Sequence, residues 1–281
     1  AAAVALLFAS AATQAATVAG FIDDGRHYLA QGHYSSAVIQ FKNALQQDPK
    51  NAQARLLLGE AELSLGQADA AQKELERAQS LGAPEAEVLP YLGKAYLMQG
   101  DAGNVLDKLH LSNKAGPAAK AALLALRGQA YLILQQRDKA KAAFETEMAA
   151  ATTSDAALLG TARMALSAND AKTAAADVDR ALAIDANNAE AWVIKGDMLR
   201  VKGKLGDAAD AFQRALKADP GSMVAHMEMA SVYINQDKLD KATAEIDPVI
   251  KVQANNPLAN YLRAVVAYRK QDLAAAQDAL T

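Results

Sequence analysis

Residues 189–222 read AEAWVIKGDMLRVKGKLGDAADAFQRALKADPGS. In the first half, Trp192, Gly196 and Leu199 recur at i, i+4 and i+7, and Ala208, Phe212 and Ala215 do the same in the second. That spacing is helical, and no part of the stretch alternates like a strand. Gly203 sits at the tight turn between the halves. Asp219-Pro220 ends the second helix, because the residue before proline is driven out of the helical region. The stretch is therefore a pair of antiparallel helices.

Working outward, the same slots recur along the chain. Gly25, Gly59 and Gly93 lie 34 residues apart, Gly128 follows after 35, and Ala162, Gly196, Ala230 and Ala264 continue every 34. A second small slot lies twelve residues beyond each, at Ala37, Ala71, Val105, Ala140, Ala174, Ala208, Ala242 and Ala276. Tyr28, Tyr96, Tyr131 and Tyr233 hold one register in the first helices, and Phe41, Phe144 and Phe212 another in the second. Small residues let paired helices approach and the large ones fill the space beside them. The expected fold is all-α: an α-solenoid superhelix of about eight helix-turn-helix repeats, the last one incomplete. Repeats are expected to start near 18, 52, 86, 121, 155, 189, 223 and 257, so that 18–281 is one solenoid.

This pattern resembles the tetratricopeptide family, whose motif of Trp, Leu-Gly, Tyr, Ala, Phe, Ala and Pro is matched best by Trp192, Gly196, Ala208, Phe212, Ala215 and Pro220. Longer phrases resemble a narrower group: YLAQGHYSSAVIQFKNALQQDPKNAQARLLLGEAELSLG from Tyr28, LGAPEAEVLPYLGKAYLMQGD from Leu81, and NNPLANYLRAVVAYRKQDLAAAQDAL from Asn255. They are similar to the tetratricopeptide lipoproteins associated with PEP-CTERM/exosortase systems. The resemblance implies a secreted protein of Gram-negative bacteria, serving exopolysaccharide production, biofilm or surface-protein sorting. A lipid anchor is left in doubt, because the chain has no lipobox cysteine.

Repeat three departs from the period. Its second helix, expected over Ala102 to Leu111, has Val105 at a small slot and breaks at Ser112-Asn113-Lys114-Ala115-Gly116-Pro117, where the one extra residue falls. A short helix and an irregular connection are expected. Pro90 and Pro248 lie within expected helices and should kink them or displace their starts. Repeat eight stops early, leaving Ala276 and Leu280 facing nothing. Residues 1–17 open on AAAVALLFA and continue in small residues, like part of a secretion signal. The expected location is therefore the periplasm or the outer membrane. No other run reaches the roughly 18 apolar residues of a membrane span.

Composition narrows the chemistry. Twenty-nine basic and 32 acidic residues give a net charge of -3, which argues against nucleic acid as a partner. Zero cysteines exclude disulfides, thiol nucleophiles and cysteine metal sites. His27, His33, His110 and His226 have no metal-ligand spacing, and Asp23-Asp24 suits a helix start. No glycine forms a phosphate loop after a strand. The expectation is a protein that is not an enzyme, with no catalytic, cofactor or metal site.

What remains is the concave groove, expected to hold a protein or peptide. The second, fifth, ninth and twelfth positions of each first helix should line it. They include Ile22, Arg26, Leu29, Leu56, Glu60, Leu63, Lys94, Leu97, Gln129 and Leu132, then Arg163, Leu166, Val193, Asp197, Arg200, Met227, Ile234, Tyr261, Val265 and Tyr268. As a set these read as an apolar surface with scattered charges, and exposed apolar area marks interaction sites. Ile22 and Leu56 stand where a clamp for acidic peptide C-termini needs basic residues. The function expected is a protein-binding scaffold of the cell envelope. A polysaccharide-export scaffold is one alternative, and the repeat arm of an enzyme whose catalytic domain lies beyond Thr281 is another.

Overall fold

The computed structural model describes residues 17–111, 116–150 and 155–280. Among them there are sixteen α-helices and no strand. The first helices of the pairs are α1 (Val18–Ala30), α3 (Ala52–Ser64), α5 (Glu85–Met98), α7 (Pro117–Ile133), α9 (Asp155–Ser167), α11 (Ala189–Val201), α13 (Met223–Asn235) and α15 (Pro257–Arg269). Their partners are α2 (Tyr34–Gln47), α4 (Ala68–Ser80), α6 (Ala102–Lys108), α8 (Arg137–Ala150), α10 (Ala171–Ile184), α12 (Leu205–Ala218), α14 (Leu239–Val252) and α16 (Leu273–Asp278).

Helix boundaries follow local chemistry. Asn51, Asn188, Ser222 and Asn256 each cap a first helix by accepting a hydrogen bond from the backbone N–H three residues on. Thr17 does the same for α1, accepting from Gly20 at 3.1 Å; residues 1–16, where a secretion signal was expected, lie outside the described residues. In repeat three α6 is only seven residues long, and α7 begins at Pro117 rather than near 121. Proline suits that first helical position, where its missing N–H has no partner to lose. Residues 112–115 of the expected break lie outside the described ones. Neither Pro90 nor Pro248 displaces a helix start, since α5 and α14 run on through them. The last helix, α16, buries none of its own side chains, and Leu280 is exposed.

Packing sets the curvature. First helices touch first helices across repeats: α1 with α3, α3 with α5, α5 with α7, α7 with α9, α11 with α13, and α13 with α15. Second helices meet only first helices to a comparable extent. The ribbon therefore bends with its first helices inside. The bend brings the chain back on itself. Tyr34 donates its hydroxyl hydrogen to Asp219, 185 residues away, and Gln253 donates to the Leu65 carbonyl oxygen, 188 residues away. At this seam Gly32 has φ +70°, and a Cβ there would come within 2.8 Å of the Gly221 nitrogen.

Candidate functional site

The inner layer separates the expected groove residues by position. Side chains at the fifth and twelfth positions point at the neighbouring first helix. Ile22, Leu56, Leu63, Met227 and Ile234, expected on the exposed groove, are all buried. Leu56 and Leu63 pack in a cluster with Leu89 and Leu92, and Met227 and Ile234 with Leu262 and Val266. Close approach of successive first helices squeezes these apolar side chains between repeats, so they hold the stack together. Leu29, Leu97, Leu132, Leu166, Val193 and Arg200 are half-buried at the same two positions. Tyr261 and Tyr268 also belong to this class, yet are 57% and 67% exposed, because no ninth first helix covers α15 among the described residues.

The ninth position faces the axis instead. It carries Arg26, Glu60, Lys94, Gln129, Arg163 and Asp197 in the first six repeats and Val265 in the eighth, each half-buried or exposed. The inner face is thus a mainly polar row with charges of both signs, Val265 excepted, where the sequence reading gave an apolar groove.

Two stretches of that row differ. In repeats five to seven the charges are already matched: Arg163 pairs with Glu190 across α9 and α11, and Arg200 pairs with Asp197 and, at 3.3 Å, with Glu228 of α13. Burial pushes the Glu228 carboxyl above the usual carboxylate range, against the pull of Arg200. In repeats one to three the row borders a cavity of about 430 Å³, lined among others by Arg26, Leu56, Glu60, Glu87, Tyr91 and Lys94. Burial, followed by the charge of Glu60 and its hydrogen bond, raises the Tyr91 hydroxyl's pKa. The Lys94 ammonium lies 5.8 Å from the centre of the Tyr91 ring, a cation–π distance. Tyr91 was missed by sequence reasoning. Its signal is Pro90 at the fifth position of the repeat: proline there cannot fill the slot that Leu56 fills one repeat earlier, which leaves room beside Tyr91.

A larger hollow, about 760 Å³, lies between the sixth and seventh repeats beside Trp192, Arg214, Lys217, His226, Tyr233 and Glu245. There His226 bonds Glu245 at 2.7 Å. Burial alone would lower the imidazole's pKa, but the bonds to Glu245 and the Pro220 carbonyl outweigh it and hold it above its ordinary value. The four histidines do not converge: His27 bonds Gln31, and His110 bonds the Asp107 carbonyl oxygen. Among the described residues no group of three or more histidine or acidic side chains is placed to hold a metal ion.

Models of the tetratricopeptide repeat match residues 28–95 and 202–266, residues 159–222, and residues 121–146, together more than half of the chain. The chain belongs to the tetratricopeptide-repeat family. Among solved structures, this tetratricopeptide-repeat chain is similar to a tetratricopeptide repeat protein from Parabacteroides merdae ATCC 43184, at 16% identity and a TM-score of 0.54, over 89% of this chain and 98% of that one. A chain of the APC/C hetero-tetramer Cut9–Hcn1 is similar at 15% identity and a TM-score of 0.51, over 85% of this chain and 47% of that one. The tetratricopeptide-repeat chain thus spans about half the length of that second relative. At these identities the likeness establishes the fold. No curated protein sequence matches. Among the described residues of this tetratricopeptide-repeat chain, no helix is long and apolar enough to cross a membrane.

Proposed function

We propose that this chain is a non-catalytic scaffold that holds a protein or peptide partner on the inner face of its superhelix. The observation that carries this reading is the ninth-position row. It runs through successive repeats, and in the first three repeats Arg26, Glu60 and Lys94 border an open cavity, with Arg26 only 3.8 Å from the exposed Asp23 and Glu60 bonded to Tyr91, whereas Arg163 and Asp197 are engaged across or along their helices by Glu190 and Arg200. Charged side chains on this surface, beside the half-buried Tyr91, give both hydrogen-bonding groups and apolar area to a partner.

The place of work is read from residues 1–17, which are like part of a secretion signal, and from phrases that resemble those of exosortase-associated tetratricopeptide proteins. We place the chain in the periplasm or at the outer membrane of a Gram-negative bacterium, serving exopolysaccharide production and biofilm or the sorting of surface proteins. Fractionation and affinity capture from the envelope test both parts. The chain should partition with the periplasm or outer membrane and capture components of such a system. The Arg26→Glu/Lys94→Glu variant should lose that capture, whereas Lys141→Glu, on the outer helix α8, should keep it. Capture that survives the inner variant and fails with the outer one would place binding on the convex side.

A further inference from the structure

Arg55 and His226 hold the same place, the fourth position of α3 and of α13. Each reaches back to a proline carbonyl in the connection before its helix and forward to a carboxylate on the paired helix. Arg55 donates to the Pro49 carbonyl oxygen through Nη2 at 2.7 Å and to Glu74 through Nη1. The His226 Nε2 lies 3.2 Å from the Pro220 carbonyl oxygen, and its Nδ1 lies 2.7 Å from Glu245. A carbonyl and a carboxylate both accept. A guanidinium keeps its charge and all its N–H groups, so Arg55 can serve both partners at any pH. The neutral imidazole has a single N–H, so His226 serves both only as the imidazolium.

Histidine replaces arginine where the coils cross. Asp48 accepts from Lys50 and Asn51 of its own connection. Asp219, its counterpart, accepts from the Gly221 N–H at 3.1 Å and from the Tyr34 hydroxyl of the other coil. The approach there is close, since a Cβ on Gly221 would lie 2.2 Å from the Tyr34 ring.

We propose that His226 is a proton-dependent latch on the seam. As the imidazolium it ties α14 to the connection of Asp219, Pro220 and Gly221 and holds that connection against Tyr34; without its proton it keeps one of the two bonds, and the crossing of the coils loosens. The latch does not depend on what the inner face binds.

The groups that face His226 set the direction of the switch. Glu245 and Lys251 come from α14, Arg214 and Lys217 from α12, Asp219 from the connection, His33 and Tyr34 from the other coil, and Tyr233 from α13 itself. Arg214, Lys217, Lys251 and His33 are exposed, so solvent screens their repulsion. The His226 and Glu245 side chains are only 16% and 20% exposed. Burial lowers the imidazole's pKa, but the bonds to Glu245 and Pro220, with the charges of Glu245 and Asp219, raise it above the ordinary 6.5. The unfolded chain thus gives up this proton near 6.5 and the folded chain at a higher pH. The latch is fully closed below about 6.5 and is lost as pH rises through the folded value.

Amide exchange on the full chain tests this, with each rate divided by that of the unstructured sequence at the same pH. Between about pH 6 and pH 9 the protection of residues 219–222 should fall by about threefold to tenfold. Residues 32–34, across the seam, should lose protection with them, and residues 48–51, held by Arg55, should keep theirs. His226→Arg, which restores the permanent cation of the second repeat, should hold residues 219–222 at the high value throughout, and His226→Gln at the low one. If either variant loses its helical signal, Glu245→Gln takes its place; it removes the carboxylate and should move the midpoint of the fall down by about one unit or more. Equal losses at 48–51 and 219–222, a fall that persists in folded His226→Arg, or a midpoint unmoved by Glu245→Gln overturns the latch. A fall at 219–222 with none at 32–34 overturns its hold on the seam.

Discussion

At Gly196 the Phe212 ring stands 2.5 Å from where a Cβ would be, and the same pairing, sixteen residues apart, joins Gly25 to Phe41, Gly59 to Leu75 and Gly128 to Phe144. Where the slot holds alanine the partner is β-branched: Ala162 is followed by Val178 and Ala230 by Ile246, both buried. The phenylalanine rings enter only opposite a slot with no Cβ, as a close-packed interior demands. These slots were legible in the sequence, because each is a residue type recurring at a fixed interval. Exposure on the inner face was not. Leu56 and Glu60 lie four residues apart on one helix, and only the distance to the next helix decides that one is covered and the other free.

In the second repeat the slot that holds Tyr28, Tyr96, Tyr131 and Tyr233 elsewhere carries Glu62, which is 3% exposed and whose Oε2 has no hydrogen-bond partner. Burial, despite Lys42 and with Glu74 adding to it, pushes its carboxyl from 4.5 up to about 7. The unfolded chain thus releases this proton near 4.5 and the folded chain near 7. Glu62 costs nothing below the lower value, progressively more between the two, and its full amount above the higher. Glu62→Gln should therefore improve stability at pH 8 by about 1–3 kcal/mol relative to its effect at pH 4. Urea unfolding at both pH values checks this, and an effect that is the same at both contradicts it.

At the scale of the element, each of the eight turns between paired helices passes through a left-handed residue. Gly32, Gly66, Gly100 and Gly203 serve in four of them; Gln135, Asn169, Asp237 and Gln271 serve in the others, with φ between 58° and 64°. The motif is closed by a backbone bond spanning five residues, such as His33 N–H to the Tyr28 carbonyl at 2.9 Å and Lys238 N–H to that of Tyr233 at 2.8 Å. The four glycines were visible as turn signals in the sequence. The other four were not, because the helix pair dictates the conformation and the residue merely tolerates it. Gln135→Gly should relieve that strain and gain about 0.5–1 kcal/mol. Asn169→Gly should gain less, since asparagine accepts this conformation more readily. Denaturant midpoints rank the two, and a loss of stability in Gln135→Gly would show that its side chain holds the turn by other means. The short α6 was legible from the break at Ser112 and Asn113, whereas the early start of α7 depends on Pro117 finding a first-turn position.

At the scale of the molecule, a 34-residue period states that units repeat but carries no angle between them. The pitch, and with it the seam, depends on how far the buried fifth- and twelfth-position side chains let successive first helices close. Tyr34 and Asp219 are unremarkable in their own repeats and meaningful only as a pair. Partner choice depends on the same angle, because a more open coil would expose Leu56, Leu63 and Met227 and present an apolar groove. The closed turn is the central claim, and a distance across the seam tests it most directly. Ser35 and Lys251 are exposed and line one cavity of about 440 Å³ between the coils. Spin labels on Ser35→Cys and Lys251→Cys, read by double electron–electron resonance, should give one narrow distribution at the short end of the measurable range, lengthening when Gly221→Leu is added. A broad distribution at long distance in the parent, unchanged by Gly221→Leu, would contradict the closed turn.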